Sequence, residues 1–372
     1  MNKRVGILIL VGIVIIGAIV YLQRQKITPA LSGTRDSTIQ PITTMDTEAK
    51  AKQYDLAKEI STPDGFINTD SINIKDLIGK KVILIDFWTY SCINCQRTTP
   101  YLNAWYDKYK DQGLEIIGIH TPEFDFEKVY DNVQKAVTKE GIKFPVVLDN
   151  DYSTWQAYGN RYWPRKYLID IDGYIVYDHI GEGAYDETEQ KIQAALKERA
   201  DRLDQVGQIA DSLVKPTDVA SVDYSKPLSP EIYFGSGRNE FLANGKQHLA
   251  GLQNLKQQAS FQANQLYLSG TWNFTDQYAE SRSTGSIDYL YQAKHVYLVA
   301  SASQSMEVEV TLDGKPLGNR AGKDIIVKDG KSYLKVQENR LYEVVSDGEY
   351  GQHSLSFTIP GAGLQAYTFT FG

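Results

Sequence analysis

Cys92 and Cys95 are the only cysteines in this 372-residue chain, and two residues separate them. The pair follows the apolar run Lys81 to Trp88 (KVILIDFW) and opens a stretch of helical composition from Asn94 to Lys110. A sulfur at a helix N-terminus faces unpaired backbone N–H groups and the positive end of the helix dipole, which favours the thiolate. A second cysteine nearly one turn further on is placed to attack a mixed disulfide formed by the first. Cys92 therefore reads as the exposed nucleophile and Cys95 as the buried resolving thiol. The other chemistries for such a pair fit less well. A closed zinc site needs four N or S ligands, and the five histidines (His120, His179, His248, His295, His353) are scattered. A disulfide-stapled scaffold would use many more cysteines. A formal charge of −7 with no strongly basic stretch argues against nucleic-acid binding.

The elements that must hold the pair alternate in type. Strand patterns at Lys81–Trp88, Leu114–Ile119 and Pro145–Leu148 are separated by helical segments at Asn94–Lys110 and Glu127–Glu140. A hairpin follows, with Lys166–Asp170 and Tyr174–His179 joined across Asp172-Gly173, and then a helix at Asp186–Ala200. Strands interleaved with helices predict an α/β sheet with a parallel portion, continued by the antiparallel hairpin. The helical pattern runs on through Leu203, Val206, Ile209 and Leu213 and stops at Lys215-Pro216. Beyond about residue 230 the pattern becomes short alternating runs, such as Met306–Leu312 and His353–Ile359, broken by turns such as Asp313-Gly314 and Asp329-Gly330. That predicts an all-β module, a sandwich or jelly roll.

These residues resemble the thioredoxin superfamily, and within it the membrane-tethered TlpA and ResA type of thiol-disulfide oxidoreductase. Asp86 stands where thioredoxins carry a buried acid, followed by the aromatic pair Phe87-Trp88. Pro100 matches the proline of the active-site helix, and Trp163-Pro164 takes the place of the cis-proline loop. The resemblance implies that Asp86 accepts the proton Cys95 must lose, since a buried carboxylate beside a buried thiol has a raised pKa. It implies that Pro164 presents backbone to an extended substrate, with Trp88 and Trp163 as substrate contacts. The chain departs from the pattern at Ile93-Asn94 between the cysteines, at Ser91 before them, and at Thr98, where relatives carry a glutamate. Glu123 is an alternative acid.

Residues 62–372 also resemble the extracytoplasmic part of DipZ-type proteins, in which a β-sandwich similar to a carbohydrate-binding module follows the thioredoxin-like domain. The resulting organisation is an anchor at 1–26, a tether at 27–60 that can carry a short helix near Glu48–Ala57, a thioredoxin-like domain at 61–200, a helical connector at 201–228 and a β-sandwich at 229–372. The uncharged run Val5–Leu22 would span about 27 Å as a helix. It reads as a single transmembrane helix that leaves the folded part extracytoplasmic; a cleaved signal peptide is the rival reading. No organic cofactor or metal is expected, the cysteine pair being the redox centre. The expected partners are protein thiols and disulfides, the membrane, and an electron donor similar to CcdA or DsbD. Two rival functions remain open. Thr89 and Arg165 echo a peroxiredoxin peroxide site, and Trp272 and Tyr278 could stack on a glycan.

Overall fold

The apolar run at 82–88 is buried at every residue, the state of a strand covered on both faces. A computed structural model describes residues 47–205, 209–217, 219 and 222–372. The expected anchor and the first part of the tether lie outside the described residues. Among the described residues, no helix is long and apolar enough to cross a membrane.

The first part of the described chain runs α1 (Thr47–Gln53), β1 (Gly65–Ile67), α2 (Ile74–Leu77), β2 (Val82–Trp88), α3 (Ile93–Tyr109), β3 (Leu114–His120), α4 (Tyr130–Lys139), β4 (Val146–Leu148), α5 (Ser153–Ala157), β5 (Arg165–Ile169), β6 (Ile175–Ile180) and α6 (Tyr185–Arg202). The strands form one sheet in the order β1-β4-β3-β2-β5-β6. β2 pairs parallel with β3, and β3 with β4, while β1, β5 and β6 are antiparallel to their neighbours. β2 thus sits centrally and delivers the cysteine turn at its C-terminal end. The fold is thioredoxin-like, as expected.

Two expectations are corrected here. The tether is docked from Thr47 onward. Lys50 of α1 is 3% exposed and bonds Asp170 at 2.6 Å, Asp172 at 2.7 Å and Glu198. Ala57 N–H donates to Gly173 at 2.9 Å, and Ile175 N–H donates to Asp55 at 2.9 Å. Composition marks this stretch as polar linker because its partners are more than 100 residues away in the chain. Among its described residues, the connector is also not helical beyond Arg202. α6 ends at Arg202, and 209–217 run without helix, with Ile209 and Val214 packed on the core through contacts rather than periodicity.

The C-terminal part contains β7 (Ile232–Tyr233), β8 (Gly251–Leu255), β9 (Leu266–Phe274), β10 (Ala279–Ser281), β11 (Gly285–Ala302), β12 (Met306–Leu312), β13 (Ile325–Lys328), β14 (Lys331–Val336), β15 (Arg340–Ile359) and β16 (Leu364–Phe371). It is all-β, and its hydrogen bonds join it into one ten-stranded sheet. The long strand β11 explains why. It pairs β15 along most of its length, β9 at Ser286–Tyr289 and β16 at Val296–Ala302, with register shifts near His295 and Val296. Since β10 bridges β9 and β16, the pairings β11–β9–β10–β16 close a ring. Asp329 and Gly330 both have positive φ (52° and 72°) at the β13–β14 turn, the geometry expected of an Asp-Gly hairpin.

Residues 47–372 belong to one compact unit. Tyr297, Val299, Leu341 and Tyr367 from the C-terminal sheet join the core cluster beneath α3. Tyr367 packs against Phe124 (5.0 Å between centroids) and Phe126 (4.8 Å).

Candidate active site around Cys92 and Cys95

Cys92 is the N-cap of α3, with extended backbone (φ −81°, ψ 119°), and its Sγ accepts the N–H of Cys95 at 3.3 Å. A donor at this helix end stabilises charge on sulfur. Cys92 is partly exposed in a cleft of about 450 Å³, whereas Cys95 is buried at 2%. Burial, then the neighbouring Cys92 sulfur, pushes the Cys95 thiol well above its ordinary value; the Asp86 charge adds to this. The two sulfurs therefore differ as nucleophile and resolving thiol must.

Asp86 is 2% exposed, and its Oδ1 has no partner among the described residues. Burial raises its carboxyl to about 7, against the opposing pull of Lys166. Lys166 is the residue that sequence reasoning missed here. It stands opposite Asp86 in the β2–β5 register and is fully buried. Its Nζ donates to Gly181 O at 3.3 Å. Burial lowers its pKa, and Asp86, Cys95 and Glu182 resist that shift. A buried acid, a buried thiol and a buried cation thus share one small volume beneath the cysteine turn.

The loop before Cys92 is held by a second buried acid. Glu127, in the 3-10 turn Asp125–Lys128, is 0% exposed and accepts from Ser91 Oγ at 2.7 Å and Ser91 N at 3.3 Å. It also accepts from Glu123 N at 2.6 Å and Phe124 N at 2.9 Å. Burial raises its carboxyl pKa. Ser91 in place of an aromatic residue is thereby explained, since its hydroxyl ties the cysteine turn to Glu127. Glu123, the acid considered from sequence, instead receives Tyr233 OH at 3.0 Å and Arg238 at 2.8 Å, both from the C-terminal part. Thr98 bonds Asn94 O at 2.9 Å and lies 3.3 Å from Tyr185 OH. Arg97 clasps Glu182 through two bonds of 2.7 and 2.8 Å at the cleft.

The remaining expected site residues divide. The Trp163–Pro164 bond is cis, and Trp163 lines the cleft with its indole N–H donated to Thr121 O at 3.0 Å. Trp88 does not reach a substrate surface. It is 4% exposed, its ring lies edge-on to His120 at 5.1 Å, and a Cβ on Gly118 would meet its Nε1 at 2.9 Å. Trp88 shares the Asp86 face of β2, which is turned into the core, so it packs over a glycine there. The peroxide site is not assembled either. Thr89 is buried with Oγ1 3.4 Å from His120, and Arg165 bonds Asp178 at 2.6 Å. Burial lowers the His120 pKa to about 3. Nor do the two aromatics form a sugar platform. Trp272 is 1% exposed with its N–H on Ser269 O at 2.8 Å, and Tyr278 packs on Tyr367 at 5.0 Å.

A C-x-x-C turn capping a helix after the central strand, above a buried acid and beside a cis-proline loop, defines a thioredoxin-fold thiol redox centre. Family models agree: one described as Redoxin matches residues 52–196, and one described as Thioredoxin like C-terminal domain matches residues 229–372. The chain is 38% identical to the thiol-disulfide oxidoreductase ResA of Bacillus anthracis over 136 residues, 36% of this chain and 73% of ResA. It is 35% identical to Protein DipZ of Mycobacterium tuberculosis over 334 residues, 88% of this chain and 44% of DipZ. It is 33% identical to NHL repeat-containing protein 2 of Homo sapiens over 220 residues, 56% of this chain and 29% of that protein. The chain belongs to the ResA-like family of thioredoxin-fold thiol-disulfide oxidoreductases. It spans less than half the length of the DipZ proteins it matches.

Proposed function

We propose that this protein is a membrane-tethered, extracytoplasmic oxidoreductase that reduces or isomerises disulfides in other proteins. The observation that carries the redox assignment is the asymmetry of the pair: Cys92 open to the cleft and capping α3, Cys95 buried above Asp86. The Cys92 thiolate attacks one sulfur of the substrate disulfide, forming a mixed disulfide and releasing the other substrate sulfur as a thiolate. Cys95 then loses its proton, with Asp86 as the acceptor, and attacks Cys92 Sγ. The second substrate thiol leaves, and the Cys92–Cys95 disulfide holds the two oxidised sulfurs. Two electrons have moved to the substrate, and a dithiol donor must restore the pair. An electron donor similar to CcdA or DsbD, beside a membrane anchor at residues 1–26, fits that requirement. The cysteine pair serves as its own redox cofactor.

Two variants test the assignment of roles. Cys92→Ser is expected to abolish disulfide exchange, and Cys95→Ser to accumulate mixed disulfides with substrate proteins. Retained exchange in Cys92→Ser, measured by reduction of a fluorescent disulfide, would sink it. The reduction potential tests direction. A value near about −270 mV fits a reductant, and one near about −120 mV would make the protein an oxidant that installs disulfides.

A further inference from the structure

The cleft above Cys92 has walls from two parts of the chain. One side is the cysteine turn with Tyr162 and Trp163. Facing it is the outer surface of the C-terminal sheet: Glu231 and Tyr233 at alternate positions around β7, and Thr368 and Thr370 at alternate positions of β16. The nucleophilic sulfur therefore lies in a slot against a β surface and not on a convex face. Thr370 is 7% exposed, and its Oγ1 has no partner among the described residues. An unpaired buried hydroxyl lining a cleft marks a position where a ligand's polar group can bond. An extended residue fills a slab of roughly 3.3 by 4.8 by 10 Å, about 160 Å³. A volume of about 450 Å³ accordingly takes about three such residues. A folded partner docking by surface complementarity presents about 800 Å², which the opposing sheet keeps away from Cys92.

Building on the redox reading above, we propose that the slot between the Cys92 turn and the C-terminal sheet selects disulfides carried on extended, locally unfolded polypeptide and excludes those set in folded surfaces. The main chain of the segment lies along the face formed by Tyr233, Thr368 and Thr370, and its sulfur reaches Cys92 on the wall of the same cleft. The chemistry is the exchange already given, with a dithiol as the electron source.

The test uses the full chain with dithiothreitol as electron donor and three substrates. These are bis(2-hydroxyethyl) disulfide, an unstructured peptide carrying a mixed disulfide, and a stably folded protein with a solvent-exposed disulfide. The expected result is a kcat/KM at least about tenfold higher for the peptide than for the folded protein. Glu231 is an exposed position, so Glu231→Trp narrows the slot without burdening the core. It is expected to lower the ratio of peptide to small-disulfide rates by about tenfold. Equal rates on peptide and folded protein, with no change of ratio in Glu231→Trp, would overturn the inference and leave the redox reading standing. Failure to exchange even the small disulfide would overturn the redox reading and this inference together.

Discussion

Asp86 owes its chemistry to what surrounds it. Its carboxyl rises from 3.8 to about 7, chiefly because it is buried. The folded chain therefore holds that proton more tightly than the unfolded chain. Between about pH 4 and 7 the unfolded state releases the proton while the folded state keeps it, so stability falls through this window and the full cost is present above pH 7. That cost is at most about 4 kcal/mol with the opposing pull of Lys166 already included. Asp86→Asn is expected to gain stability over the parent protein at pH 8 relative to pH 4, read from urea unfolding at both. An identical difference at the two pH values would show that Asp86 does not titrate there. Asp86 is readable from sequence because it is the one acid in an apolar run. Lys166 is not, because Arg165-Lys166 looks like an ordinary charged surface pair; only the cross-strand register places it beside the acid. Glu127 escapes for a similar reason, its ligands being N–H groups of a loop whose path no pattern announces.

Among the elements, α1 makes the clearest case for structure over composition. Burial pulls the Lys50 ammonium towards neutrality, and its three carboxylate partners more than reverse this, so its pKa is raised. Removing one partner from a buried ionic cluster leaves uncompensated charge, which typically costs about 3–5 kcal/mol. Lys50→Ala is expected to lose about that much stability and to open α1 to hydrogen exchange. A loss under about 1 kcal/mol, with α1 still protected, would show that the cluster is solvated. Strands β2 to β6 are legible because their apolar runs and the Asp172-Gly173 turn are local signals, whereas the three-residue β1 carries no such run and goes unread. β2 falls within the span read for it, and β5 and β6 flank Asp172-Gly173. Among the described residues, the helical pattern expected beyond Arg202 fails at 209–217, where Ile209 is apolar for contact with the core and not for a helical face.

At the scale of the molecule, the two sheets share a core. Tyr367 of β16 meets Phe124, Phe126 and Tyr278. Unfolding is therefore expected as one cooperative transition, coincident by tryptophan fluorescence and far-UV circular dichroism. Tyr367→Ala should cost about 3–5 kcal/mol and move both probes together. Two separated transitions in the parent protein would mean that the sheets are energetically independent. The presence of two modules could be read from the change in residue pattern near position 230. Their contact could not, because an apolar residue reads alike whether its neighbour is in its own sheet or the other one.

Along β16, Phe369 is fully buried in the sheet's own core while Thr368 and Thr370 line the cleft, and Ile232 alternates with Glu231 and Tyr233 in the same way. Neighbouring positions thus meet different surroundings, one the sheet's own core and the next the wall of the cleft. Such a wall can be diversified in a library at 231 and 370, while the residues that keep the scaffold intact stay fixed.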